Sequence, residues 1–333
     1  MKKTVFTTLI VFAAFYAGMI GCSDKSTNDQ SEKTDSLLSK KISDLFDRSD
    51  VWKAPDTLTI PEDEQGNLIR YGKLLIINTA SYLGPKGTVS PKSNGMNCQN
   101  CHRDAGTRLF ANSFSAVAST YPRFRPRSGA SESVEKRIND CMERSLNGKI
   151  LDSNSTEMKA MVAYIKWVGK DVEKGKTPKG ASVVELPYLD RPADPEKGKT
   201  AFEKNCITCH GRDGQGKLND DGLTYLYPPL WGDHSYNVSA GMFRLSRFAG
   251  YIKSNMPDLI SSYEKPVLSD EEAWDIAAYV NSMPRPETKF PKDWPDISKK
   301  PVDHPFGPFK DPFSEAQHKL GPFAPIAAVY KKK

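Results

Sequence analysis

The sequence predicts a mainly α-helical protein of two tandem domains on one plan, followed by an extended, Pro-rich C-terminal strap. Three observations carry that reading. Cys98-Gln99-Asn100-Cys101-His102 and Cys206-Ile207-Thr208-Cys209-His210 repeat one C-x-x-C-H element. Each copy has helical periodicity before it and again at the end of its unit. Beyond Pro284, proline recurs every few residues and no helical period is visible.

In chain order, Lys2-Lys3 opens a basic stretch, and Val5 to Ile20 is almost uninterrupted apolar sequence. That run is too short and too sharply ended for a membrane span, so it reads as an export signal. It closes at Met19-Ile20-Gly21-Cys22, a bacterial lipobox, which predicts lipidation at Cys22 and a periplasmic protein held to a bacterial membrane. Residues 1–22 are the expected signal peptide, and the polar stretch 23–45 a flexible tether. The first domain is expected at 46–178, the second at 179–290 and the strap at 291–333. A Lys/Gly/Pro-rich segment from Lys170 to Pro195 links the domains. The 333-residue chain carries a net charge of only +6, and with export this excludes nucleic acid as a partner.

Asn67 to Tyr82 is the helix expected before the first motif, and Glu196 to Asn205 the helix before the second. Thr156 to Val168 and Asp270 to Ser282 are the terminal helices. Ser269 and Glu272 form a capping-box pattern at the start of the latter. Between motif and terminal helix each unit is expected to be a long Gly/Pro-rich loop. His304 and His318 read as surface or packing residues.

A C-x-x-C-H element joins two thiols to haem vinyls as thioethers and gives its His to the iron. Cys98, Cys101, Cys206 and Cys209 are therefore the attachment residues of two covalent haems c, with His102 and His210 as axial ligands. A zinc site would need further ligands that so few His and Cys residues cannot supply. The chain is thus an exported dihaem cytochrome c.

The sixth ligands decide what each haem does. Met256, before the second terminal helix, sits where cytochromes c place an axial Met, and a thioether ligand raises the potential. Met242 and Lys253 are rivals for that position. In the first domain the interval from Cys141 to Ser155 nearly matches that from Met256 to Ser269, so Cys141 fills the corresponding slot. A thiolate there lowers the potential and supplies a sulfur nucleophile. Arg123, Arg125, Arg127, Arg137 and Arg144 surround it in sequence, with few acids among them. Guanidinium groups bind oxyanions and keep a nearby thiol deprotonated.

Taken together, these segments resemble the dihaem thiosulfate dehydrogenases, also called tetrathionate reductases. Met96 to His102, Arg137-Ile138-Asn139-Asp140-Cys141-Met142-Glu143-Arg144-Ser145, Asn255-Met256-Pro257 and Val302 to Phe309 carry the resemblance, with the Cys141 segment the most specific. It implies His102/Cys141 ligation of a catalytic haem and a substrate pocket containing Arg127, Arg137 and Ser145. The family varies between Lys and Met at the second haem, and the Lys-bearing position here is Asn255, which leaves Met256. The implied reaction couples two thiosulfates to tetrathionate and hands electrons to an external carrier such as a small cytochrome c. A dihaem peroxidase and a pure electron-transfer module are the alternatives.

Overall fold

Each half of the protein is organised by a helix crossing in which glycine lets two backbones touch. In the computed structural model, which describes residues 51–331, the first such pair is α1 (Glu64–Ile77) and the helix that closes the first unit. That closing helix, Thr156–Val168, becomes α3 here, because an intervening helix, α2 (Val134–Arg144), precedes it. A Cβ on Gly72 would lie 2.0 Å from the Ala160 carbonyl oxygen and 2.8 Å from Tyr164 Cβ. The second half repeats the device with α4 (Pro195–Asn205) and α6 (Asp270–Ser282), with α5 (Leu245–Asn255) between them in sequence. There a Cβ on Gly198 would lie 1.9 Å from the Asp275 carbonyl oxygen and 2.9 Å from Tyr279 Cβ. Tyr164 and Tyr279 thus mark equivalent places in a structural repeat.

Local signals explain the ends of these helices. Asp63 accepts from Gly66 N–H, and Ser155 from Met158 N–H. At α6 the capping box is reciprocal: Glu272 N–H donates to Ser269 Oγ (3.0 Å) and Ser269 N–H to Glu272 Oε2 (2.8 Å). The first helix ends at Ile77 rather than running to Tyr82. Asn78 leaves helical geometry, and a separate short helix, Thr79–Leu83, follows.

Two expectations are corrected. The stretches between motif and terminal helix are not simply loops, because each contains a helix, α2 or α5. Ser133 caps α2 by accepting from Lys136 N–H, and Val134, Ile138 and Met142 recur every four residues as its buried stripe. The tail also has helical structure: α7 (Glu315–Leu320), capped by Ser314, and α8 (Ala324–Lys331). No proline interrupts 314–321, and Pro325 falls in the first turn of α8, where its missing N–H costs nothing.

Between Pro284 and Ser314 the chain is irregular apart from one 3₁₀ turn, Ile297–Lys299, and it touches both units. Asp293 pairs with Arg144 of the first unit, and Asp303 with Arg244 and Ser246 of the second. His318 is fully buried, with Nδ1 2.8 Å from Val302 O and Nε2 3.0 Å from Asp311 Oδ1, so it is a packing residue and not a surface one. The segment Lys170 to Pro195 is likewise held down: Phe110 N–H donates to Gly180 O, and Trp274 Nε1 to Pro187 O. Among the described residues, no helix is long and apolar enough to cross a membrane. The signal segment, the tether and Cys22 lie outside the described residues.

Candidate functional site

The two C-x-x-C-H histidines are oriented in the same way. His102 Nδ1 lies 2.6 Å from the Asn112 carbonyl oxygen, and His210 Nδ1 lies 2.9 Å from that of Pro228. A carbonyl only accepts, so Nδ1 carries the proton in both rings and Nε2 is left as the basic nitrogen. Burial also holds His210 below its ordinary range, which favours the neutral imidazole that binds iron. Backbone carbonyls from a following loop thus fix both rings in the tautomer that axial ligation requires. Sequence reasoning missed Asn112 and Pro228, since a carbonyl leaves no signature in residue type.

Cys141 lies in the last turn of α2, with its thiol near the His102 ring. The structure therefore brings together the two residues that sequence spacing had paired. Burial pushes this thiol up, but the Arg137 guanidinium and the His102 ring outweigh it and bring it down to about 7. Arg137 is one helical turn away on the same face of α2, and the nearby sulfur raises its own pKa. No cation acts on Cys98 and only the weaker pull of Arg103 on Cys101, and burial pushes them up to about 11 and about 12. Among these three buried thiols, only Cys141 is favoured as a thiolate.

The arginines divide by their partners. Arg144 is committed: its Nη1 and Nη2 grip Asp293 at 2.7 and 2.9 Å, and its guanidinium stacks 3.7 Å from the centre of the Phe290 ring. Arg123 is exposed on a small hairpin that pairs Arg123–Arg125 with Ala130–Glu132. Arg125, from that hairpin, has Nε 3.9 Å from buried Glu132. Arg127 donates from Nη1 to Ser239 O (3.2 Å), lies 4.0 Å from Asp293 and faces the Trp294 ring. Burial and the neighbouring Arg144 lower Arg127 to about 10, which reports a strongly cationic locality. Ser145 caps α2, its N–H donating to Cys141 O at 2.9 Å. Asp293 and Trp294 went unnoticed in the sequence because they arrive from the tail.

A cavity of about 1420 Å³ opens beside Arg127, lined on the tail side by Phe290, Asp293, Trp294 and His304. Cys141 and Arg137 are not among its lining residues.

At the second motif, Met256 is the C-cap of α5, its N–H donating to Ile252 O (2.9 Å), and it packs half-buried against the core. Both rivals are engaged elsewhere. Lys253 Nζ donates to Leu268 O and pairs with Asp270, each at 2.7 Å. Met242 Sδ accepts from Asn112 Nδ2 of the first unit at 3.9 Å. Asn255 is fully buried and donates to Phe110 O (3.0 Å) and Tyr251 O (3.1 Å).

Residues 89–173 match a family model described as the SoxA/TsdA cytochrome c domain, and residues 195–284 match the cytochrome c model. A thiosulfate dehydrogenase of Psychrobacter arcticus is 35% identical over 325 residues, covering 89% of this chain and 95% of the relative. Another, from Allochromatium vinosum, is 38% identical over 236 residues, 70% of this chain and 83% of the relative. The solved structure of thiosulfate dehydrogenase (TsdBA) from Marichromatium purpuratum superposes with a TM-score of 0.66 at 30% identity. That match covers 72% of this chain and spans half of the other. The chain carries two covalently bound c-type haems and belongs to the dihaem thiosulfate dehydrogenase family.

Proposed function

We propose that this protein oxidises two thiosulfates to one tetrathionate, with Cys141 as the working thiol. The observation that carries the mechanism is the pairing of Cys141 with Arg137 one turn away on α2, near the His102 ring. When bound, the two haems accept the two electrons of the reaction and pass them outward. Cys98, Cys101, His102 and Cys141 would hold one of them. Cys206, Cys209, His210 and Met256 would hold the other.

The Cys141 thiolate meets the first thiosulfate. Its Sγ and the sulfane sulfur of thiosulfate form an S–S bond as two electrons depart, giving a Cys141–S–S–SO₃⁻ adduct. The sulfane sulfur of the second thiosulfate attacks the outer sulfur of that adduct. Cys141 is expelled as a thiolate, and tetrathionate is released. Charge balances in both steps: two dianions become one dianion and two electrons. Arg127 and Arg137 neutralise the sulfonates, whose mutual repulsion would otherwise hold the two substrates apart. Ser145, at the end of the same helix, offers a hydroxyl to a sulfonate oxygen.

The domain division proposed from the sequence, 46–178 and 179–290, gives each haem its own helix crossing. The lipobox at Cys22 supports a lipid anchor on the periplasmic side of a bacterial membrane. Electrons then leave to an external carrier such as a small cytochrome c. Steady-state assays in both directions test the reading: thiosulfate with an artificial acceptor, and tetrathionate with a reduced dye. Turnover in at least one direction is expected. Peroxide turnover in place of both would favour the peroxidase alternative.

A further inference from the structure

Arg103 directly follows His102, and Asp258 lies two residues beyond Met256. The two side chains meet across the contact between the units. The Arg103 guanidinium hydrogen-bonds one Asp258 oxygen, while Arg108 Nη1 lies 3.4 Å from the other. With side-chain exposures of 20% and 22%, the pair is sheltered enough to escape most solvent screening. It is also the charged centre of a broader attachment. Tyr251 Oη donates to Asn100 O (2.7 Å), and Ser254 Oγ and Asn255 Nδ2 donate to Phe110 O (3.2 and 3.0 Å). Helix α5, which ends at Met256, is thereby fastened to the segment Asn100–Asn112. That segment holds His102 and the Asn112 carbonyl that orients its ring.

We propose that Arg103 and Asp258 are positioning residues for electron transfer between the two haem sites, clamping the Met256 loop onto the His102 segment. This rests on the assignment of His102 and Met256 as axial ligands. Electron tunnelling falls steeply with separation, so a transfer step needs the two ligand-bearing segments held in one register. Backbone-directed hydrogen bonds such as that of Tyr251 fix the helix, but the loop after Met256 is irregular and has its own tie in the ion pair. The charges of Arg103 and Asp258 also reach His210, so the clamp lies close to the second site.

The test uses the dihaem holoprotein and the isosteric variant Asp258→Asn, with Asp258→Glu as the conservative control. A His/Met ferric haem has a weak far-red band that bleaches on reduction. Asp258→Asn is expected to keep both haems and the full far-red band before mixing, with KM for thiosulfate unchanged. In rapid mixing with thiosulfate, reduction of the second haem should slow several-fold, as the two ligand-bearing segments lose their fixed register. The maximal rate should fall in proportion, and Asp258→Glu should restore most of it. Wild-type transfer in Asp258→Asn with the band intact overturns the proposal. Loss of the band with haem retained overturns it as well, because the pair would then be holding the ligand itself. Absence of the band from the unmutated protein would instead contradict Met256 ligation. The inter-haem rate, read from the α-band, would still decide the role of the pair.

Discussion

Cys141 and Arg137 show how one turn of helix sets the chemistry of a thiol. Burial works against a thiolate at Cys98, Cys101 and Cys141 alike, yet only Cys141 comes down, because a guanidinium sits four residues before it. Replacing Arg137 with Ala should weaken thiosulfate capture by about 1.5–3 kcal/mol, one charged hydrogen bond, seen as a roughly ten-fold or greater rise in KM. Arg144→Ala should act differently. It strips a buried partner from Asp293 and should lower stability by about 3 kcal/mol in chemical denaturation, with little change in KM. At this scale the sequence was half legible. The arginines around Cys141 can be read from the chain, but that Arg137 lies one turn from it needed α2, and Arg144 looked equally free because Asp293 stands 149 residues away.

The helices were legible where their ends carry chemical signals and obscure where they do not. Thr156–Val168 and Asp270–Ser282 begin at serine caps and were found in full. Helix α2 hid because its apolar stripe is one residue wide amid charge, and α7 and α8 because proline surrounds them. The crossing glycines are the elements' most constrained positions. Gly198→Ala would drive a methyl into the Asp275 carbonyl, and the helices would part at a cost of about 3 kcal/mol, lowering the thermal midpoint of the holoprotein. The tail is tied by Asp303, which is fully buried. Burial pushes its carboxyl up, but Arg244 and Ser246 prevail and hold it below the usual carboxylate range. A carboxylate depressed in this way stabilises the fold above the unfolded value of about 4, and that stabilisation fades as pH falls through the folded value. Asp303→Asn should therefore destabilise at pH 7 by about 3–5 kcal/mol, with the difference from wild type shrinking in strongly acid solution. Urea midpoints at both pH values measure this.

In the whole molecule, the two haems were evident because each attachment motif is five contiguous residues, whereas the way the units join was not. Tyr251 reaches Asn100 across 151 residues, and Arg103 reaches Asp258 across 155; no periodicity or spacing announces either. Folding also gives the rival ligands other partners, Asn112 across the units for Met242 and Leu268 and Asp270 for Lys253. In the proposed reaction, two thiosulfates meet at Cys141 and their electrons leave through two haems. Thiosulfate-dependent reduction of a one-electron acceptor, with tetrathionate counted in the same samples, tests it most directly in wild type and in Cys141→Met. The wild-type protein should deliver two electrons for each tetrathionate formed. Cys141→Met should keep both haems and reduce normally with dithionite, yet lose thiosulfate oxidation by several orders of magnitude. Near-normal turnover in Cys141→Met, or acceptor reduction without tetrathionate, would contradict the account.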